Sequence, residues 1–458
     1  MENFKNKTIG VLGLGKSGQA AALFLARQGA KVLASDNKPF NELGDIIDLL
    51  RKNNIEMECG GHSWEFFSEC EYLVVSPGIP LNIPFILEAS QKNIPVVSEI
   101  ELACRVSPAP IVAVTGTNGK STTVSLIGHL LNSLGEKAVV AGNIGTSLLD
   151  IIDSVTSDHV VVMEVSSFQL ESIDQFRPKV AVFLNFAPDH LNRHENMEAY
   201  LTAKLRLFEN QSSGDIAVLN HDDPAVCKCA AQIRSRIFWF SRSTSVVPGC
   251  HMANDFVIVN GDYGIRPVGK RNLFPCPGSH NTENLLAAIA TVMGLGLPVE
   301  NLSEYFATFR GLNHRLEFVD TICGISYYDD SKGTNPNATV RAIQSFNSPI
   351  VLIAGGSEKG LDLKPVSEIG RGRVKTLVAI GETGNKLISL FDYLSEKNRF
   401  SCASFAEAVQ KAHSCAEAGD IVLLSPACAS FDMFKNAEDR GEQFQELVKN
   451  LKGAKALS

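Results

Sequence analysis

The sequence predicts an α/β protein of three domains built on mostly parallel sheets, and three observations predict it. Apolar strand-like runs (KVLAS, EYLVVS, HVVVMEV, VAVFLN, TLVAI, DIVLLS) alternate with helical periods along the chain. Continuous apolar strands bounded by helices are the pattern of parallel sheets covered on both faces. Strand–glycine–helix openings recur at 8–18, at 111–122 and, more weakly, at 350–360. The chain has 458 residues, more than one core organises at roughly 150 residues per domain.

Punctuation places the boundaries. A Rossmann-like N-terminal domain covers 1–98 and ends before the Pro108–Pro110 turn. A central P-loop-type ATPase domain with a mostly parallel sheet covers 99–311. It contains a stretch of short strands at 215–277 and a helix from about 281 to 294, with a further helix ending at Phe309. A Rossmann-like C-terminal domain covers 312–458 and opens with NHRLEFV. No repeat of fixed period and no low-complexity segment interrupts this order.

Composition narrows the function classes. The net charge of −8, with no sustained basic run, argues against a nucleic-acid partner. The longest apolar stretches are strand-sized, so no membrane span is expected. The N-terminus enters a strand directly and shows no cleavage site, so no signal peptide is expected. Eleven scattered cysteines include Cys227 and Cys229 as CxC but no CxxC pair. They read as reduced thiols of a cytoplasmic protein rather than zinc ligands.

The first opening, Gly13-Leu14-Gly15-Lys16-Ser17-Gly18, follows a strand and starts a helix, and Asp36 ends the next strand. Alone this is the dinucleotide fingerprint. The same geometry holds any diphosphate, because glycines admit close approach, the helix N-terminus faces the anion and a carboxylate takes a ribose hydroxyl or base N–H. The turn Ser76-Pro77-Gly78 ends another strand and could line the same crevice.

The second opening, IVAVTGTNGKSTT at 111–123, carries the most information. Backbone N–H groups around Gly116 and Gly119, with Thr117, Asn118 and Thr122, can close on phosphate oxygens. Lys120 adds a point charge and the Ser121 hydroxyl can reach Mg²⁺. The loop is shorter than the usual P-loop, which needs glycine where Val114 stands. A triphosphate site is predicted. Asn143, in GNIG, is a turn residue or a ligand contact between the first two domains. Glu164, at the end of HVVVM, suits Mg²⁺. His190 and His194 have the spacing of zinc ligands on a helix, yet the HExxH glutamate is missing, so a hard-ion site shared by His190 and Glu164 is the more coherent reading.

Lys204 reads on its own as a solvated or paired lysine. Asn281 and Asn284 are helix-start residues that become adenine contacts only if that helix end faces Lys120. In the third domain Arg315 could clamp a γ-phosphate, while Asp330 and Lys332 could hold ribose and substrate. The segment Ser425–Phe431, SPACASF, has no histidine partner nearby in sequence and reads as a binding turn.

With TGTNGKST, GNIG, SSFQLE, DHxxRH, NHR, DSKGTN and LSPACASFD in this order, nearly the whole chain resembles the Mur ligase family. SSFQLE together with SPACASFDMFKN is similar to its D-glutamate-adding members. The resemblance implies an ATP-dependent amide ligase that joins D-glutamate to UDP-N-acetylmuramoyl-L-alanine through an acyl phosphate, in peptidoglycan precursor synthesis. It implies that Gly15, Lys16, Ser17, Asp36, Asn37, Gly78, Asn143 and Ser166 hold the UDP-sugar. ATP is implied on Gly116, Thr117, Asn118, Gly119, Lys120, Ser121 and Thr122, with Asn281, Asn284, Arg315 and Asp330. Two Mg²⁺ ions are implied near Ser121, Glu164, His190 and Lys204, the last carbamylated. D-Glutamate is implied on His190, Lys332, Thr334, Lys359, Ser430 and Phe431. Lys120, His190, Lys204 and Arg315 take the catalytic roles, and closure of the third domain excludes water.

The resemblance also implies small-molecule substrates only and is compatible with a monomer. Lys16-Ser17 and Ala437 depart from some relatives. The readings left beside it are an amide ligase for another amino acid, an NAD(P) oxidoreductase built on residues 13–18, and a non-catalytic nucleotide-binding regulator.

Overall fold

The computed structural model describes residues 3–143, 145–190, 193–261, 264–358 and 360–453, the side chains of 452 and 453 aside. The chain divides into two compact units. The first comprises residues 1–271 and 283–306, and the second 272–282 and 307–458.

The first unit holds two sheets. The smaller contains β1 (Thr8–Leu12), β2 (Lys31–Asp36), β3 (Glu56–Cys59), β4 (Tyr72–Val75) and β5 (Val96–Ser98). Its order is β3-β2-β1-β4-β5 and every pairing is parallel. The chain leaves β1 toward one edge and returns to the other side of it, so the carboxyl ends of β1 and β4 flank a switch point where such sheets take ligands.

The larger sheet contains β6 (Ile111–Thr115), β7 (Lys137–Gly142), β8 (His159–Glu164), β9 (Val180–Phe183), β10 (Ile216–Asn220), β11 (Arg236–Ser241), β12 (Gly249–Ala253), β13 (Phe256–Gly261) and β14 (Gly264–Lys270). Its order is β14-β13-β12-β11-β10-β9-β6-β8-β7. Only the β12–β13 and β13–β14 pairings are antiparallel. These strands are the expected short-strand stretch at 215–277.

One apolar cluster runs through both sheets, from Ile9, Val11 and Leu25 to Ile111, Phe183 and Leu219. That shared core explains why they form one unit. A second cluster, with Leu12, Phe67, Val75 and Phe85, covers the other face of the smaller sheet.

The second unit holds β15 (Glu317–Ile322), β16 (Ile325–Asp329), β17 (Ile350–Gly355), β18 (Val374–Ile380), β19 (Arg399–Ser401) and β20 (Ile421–Leu424), in the order β15-β16-β20-β17-β18-β19. Only β15–β16 is antiparallel. Separate apolar clusters cover the two faces, which accounts for strands such as IVLIAG that are buried along their whole length.

Local expectations mostly hold. The helix expected from about 281 runs Ser279–Gly294, and the one expected to end at Phe309 ends at Phe306. After β17 the next helix starts only at Lys364, so the third glycine opening does not lead straight into a helix. None of the eleven cysteines is in a disulfide. Cys227 and Cys229 each point at a backbone carbonyl, of His221 and Ala225. No described helix is long and apolar enough to cross a membrane.

Candidate active site

The phosphate loop joins β6 to the helix Lys120–Ser133. Gly119, at φ 84°, is the helix cap, and a Cβ there would lie 2.3 Å from Asn284 Oδ1. Only glycine fits a left-handed cap that closely approached. Asn284 is buried and accepts from Thr123 Oγ1 at 3.2 Å, so this asparagine backs the loop. Asn118 N–H donates to Asn185 Oδ1 at 2.8 Å, and Thr117 Oγ1 donates to the Ala187 carbonyl. The loop is thus pinned to the segment after β9. Its Thr122 is half-buried on the new helix.

Lys120 Nζ donates to the carbonyls of Gly116 and Thr117, each at 2.9 Å. Lys204, on the helix Met197–Leu205, is 1% exposed, and its Nζ donates to the same Gly116 carbonyl at 2.9 Å. The Tyr200 ring lies 4.6 Å from that nitrogen. No carboxylate among the described residues stands within ion-pair distance. Burial, followed by the nearby Lys120 charge, lowers the Lys204 pKa to about 6. The ordinary reading, a solvated or paired lysine, is therefore corrected: the side chain is neither.

Ser121 Oγ donates to Glu164 Oε2 at 2.7 Å, and Asn143 Nδ2 donates to Glu164 Oε1 at 3.0 Å. Glu164 is buried at the end of β8, which neighbours β6 in the sheet. A hydroxyl and a carboxylate oxygen thus meet at the carboxyl ends of adjacent parallel strands, a hard-oxygen donor set suited to Mg²⁺.

His190 follows β9. It is largely exposed, at φ 54°, with Asp189 Oδ2 3.5 Å from Nε2 and the Phe168 ring 4.9 Å away. His190 and His194 do not stand on a helix; His194 N–H closes a turn on the His190 carbonyl at 3.0 Å. His194 is buried instead, between Ser167 Oγ at 3.0 Å and Glu171 at 3.4 Å, and burial lowers its pKa. This turn is tied to the first sheet. Arg193 pairs with Glu171 at 2.8 Å and donates to the Ile79 carbonyl at 2.8 Å, just beyond Gly78.

At the first glycine turn, Gly18 approaches so closely that a Cβ would lie 1.8 Å from the Gly13 carbonyl oxygen. Asp36 accepts the Leu14 N–H at 2.7 Å and the Lys38 N–H at 2.9 Å, bracing the turn. Gly15, Lys16, Asn37 and Gly78 are exposed around it. Ser17 donates to Glu99 Oε1 at 3.1 Å. Ser166 caps the helix Ser167–Leu170 in a reciprocal capping box with Gln169.

In the second unit, Asp330 is buried and accepts from Ser425 Oγ at 2.7 Å. Burial pushes its pKa up to about 7. Lys332 pairs with Glu438 and is half-buried, as is Thr334; Arg315 is exposed. Ser430 is buried while Phe431 is 70% exposed, unusual for so large an apolar ring. Asn281 donates to the Pro277 carbonyl at 2.7 Å. Lys359 lies outside the described residues.

Arg440 was not legible from sequence. It is fully buried and donates to Ser331 Oγ and to the carbonyls of Ser331 and Cys428, at 2.9, 2.9 and 3.2 Å. It joins the segment 329–335 to the turn 425–431. A charged residue within an amphipathic helix carries no sequence sign of such a role.

Comparisons with known proteins match the chain in three stretches. Residues 7–98 match the Mur ligase MurD-like N-terminal domain, 114–292 the Mur ligase middle domain, and 314–428 the Mur ligase glutamate ligase domain. The chain is 42% identical to the UDP-N-acetylmuramoylalanine–D-glutamate ligase of Geotalea daltonii, covering 98% of both proteins. It is 42% identical to that of Pelotomaculum thermopropionicum over 99% of both. For that of Clostridioides difficile the identity is 40%, over 98% of this chain and 100% of the relative.

The fold is shared with UDP-N-acetylmuramate-alanine ligase from Thermotoga maritima, with TM-score 0.58, 20% identity, and 97% and 99% coverage of this chain and that one. It is shared also with a pseudomurein peptide ligase type C from Methanothermus fervidus, with TM-score 0.56, 18% identity, and 97% and 100% coverage. Matched end to end by relatives this similar, and in each third by one of its domain models, the chain belongs to the Mur ligase family.

Proposed function

We propose that this protein is an ATP-dependent ligase that adds D-glutamate to UDP-N-acetylmuramoyl-L-alanine in peptidoglycan precursor synthesis. One observation carries the chemistry: around a glycine loop at the carboxyl end of β6, two lysines share a carbonyl while a hydroxyl and a buried carboxylate meet one strand away. The relatives that match the chain along its whole length are named for this reaction. We assign 1–98 to the UDP-sugar, 99–311 to ATP and 312–458 to the amino acid, acting as a monomer on small molecules in the cytoplasm.

A carboxylate does not react with an amine at neutral pH, because oxide is too poor a leaving group. ATP with two Mg²⁺, when bound, supplies a phosphoryl group that makes the alanine carboxylate an acyl phosphate, with its charge neutralised. The backbone N–H groups at 116–122 cradle phosphate, and Lys120 leaves its carbonyls to face the transferred group. Ser121 and Glu164 hold one ion. Lys204, as an uncharged amine, can add CO₂ with release of one proton to solvent, and the resulting carbamate would offer an anionic oxygen to a second ion.

Asn284, Asn281, Arg315 and Asp330 are the remaining ATP ligands in this reading. Lys332, Thr334, Lys359, Ser430 and Phe431 hold D-glutamate. The incoming amine must be neutral to attack, and His190, exposed and beside Asp189, is the chain's candidate to take its proton.

The deciding assay supplies UDP-N-acetylmuramoyl-L-alanine, ATP and Mg²⁺ with D- or L-glutamate, and follows ADP release and the new amide by mass. Amide formation with the D-isomer alone is expected. Consumption of a nicotinamide cofactor with no new amide overturns the reading.

A further inference from the structure

Glu99 is a carboxylate the proposed chemistry does not use. It opens the helix Glu99–Val106 and is 3% exposed. Its Oε1 accepts from Gln169 Nε2 at 2.7 Å and from Ser17 Oγ at 3.1 Å, while its Oε2 is buried without a partner. Gln169 cannot be turned around. Its Oε1 accepts the backbone N–H of Ser166 at 2.9 Å and the Ser166 hydroxyl at 3.0 Å, so its amide nitrogen must face Glu99. A buried chain Ser17–Glu99–Gln169–Ser166 therefore runs from the glycine turn after β1 to the turn after β8. A carboxyl group is costly to bury, and this one joins two serines that the resemblance to the family implies on the same nucleotide-sugar.

We infer that Glu99 is a positioning residue for the nucleotide-sugar, fixing Ser17 and Ser166 relative to each other. The inference rests on the proposed function. It has a consequence in hydrogen-bond polarity. With its proton committed to Glu99, the Ser17 hydroxyl offers a ligand lone pairs only. It thus recognises a hydroxyl or amide N–H of the sugar, and phosphate oxygens fall to backbone N–H groups at the helix start. Burial raises the pKa of Glu99, which agrees with an acceptor role that a neutral carbonyl oxygen also fills.

The test is the KM for each of the three substrates in E99A, S17A, the double variant and E99Q, with thermal unfolding as a control. In E99A the KM for the nucleotide-sugar rises about tenfold, the scale of one or two lost hydrogen bonds. The KM values for ATP and D-glutamate stay within about twofold. The double variant is no worse than the poorer single one, since both break one chain. E99Q, which keeps the Oε1 acceptor, restores the nucleotide-sugar KM.

An unchanged nucleotide-sugar KM in E99A, an equal rise in all three, or effects of E99A and S17A that multiply overturns the inference. If E99A does not fold, E99Q decides, and a tenfold rise there overturns it. An S17A enzyme with unaltered KM also overturns it. Failure of the ligase reading itself appears earlier, as wild-type protein that makes no amide.

Discussion

Lys204 and Lys120 donate to one carbonyl oxygen, that of Gly116, each at 2.9 Å. Two ammonium groups cannot share a buried acceptor without cost, and the cost falls on the more buried of them, Lys204. The Gly116 carbonyl is thus held by one ammonium, Lys120, and by one amine pushed toward its neutral form, Lys204.

Replacing Lys204 separates its function from its cost to stability. Its folded pKa, about 6, lies below the unfolded value. The unfolded chain therefore binds more protons between those values, and the lysine destabilises the fold most at low pH, with stability rising as pH rises through that window. K204M is expected to abolish ligation while unfolding, near pH 7, at a temperature no lower than wild type. A Tm several degrees lower contradicts this.

The proposed function assigns Lys120 to phosphate and not to sugar. K120A is expected to cut ADP formation by about 10³-fold, the scale of a lost phosphate clamp, and to leave UDP-sugar affinity unchanged by calorimetry. Loss of both activities argues that the two ligands share one site.

Glu164 holds both Ser121 and Asn143. E164Q keeps the shape and removes the anionic oxygen. It should need about tenfold more Mg²⁺ for half-maximal rate, the scale of altered metal ligation, with its Tm within a few degrees. A titration curve that coincides with wild type removes Glu164 from the metal site.

Asp330 makes the opposite pH prediction. Its folded pKa, about 7, lies above the unfolded value, so its contribution is present at low pH and is lost as pH rises through the folded value. D330N can keep the Leu316 N–H, and the Ser425 hydroxyl can turn to accept. The Tm advantage of D330N over wild type should grow between about pH 5 and pH 8. A gap that does not change with pH disproves the burial argument.

Most of the fold was legible because its strands are apolar along their length and its glycines mark the turns. Gly18 and Gly119 could be singled out from sequence because nothing larger fits where they stand. Glu164 was legible as a Mg²⁺ candidate from its place at a strand end, but its contact with Ser121 was not. Lys204 was not legible by chemistry: nothing in AYLTAKLRLFEN distinguishes a buried lysine from a solvated one, and only the resemblance raised it. Glu99, Gln169 and Arg440 were missed because each acts through partners distant in sequence. The spacing of His190 and His194 carried no helical meaning, since four residues share one face only on a helix, and here the backbone turns.

Arg440 sets an order on how the molecule can be made. The two loops it ties lie earlier in the chain than their tie. Both are therefore made before the guanidinium that anchors them. The segment 329–335 and the turn bearing Ser430 and Phe431 are thus joined through Arg440 only once the last helix has docked against both.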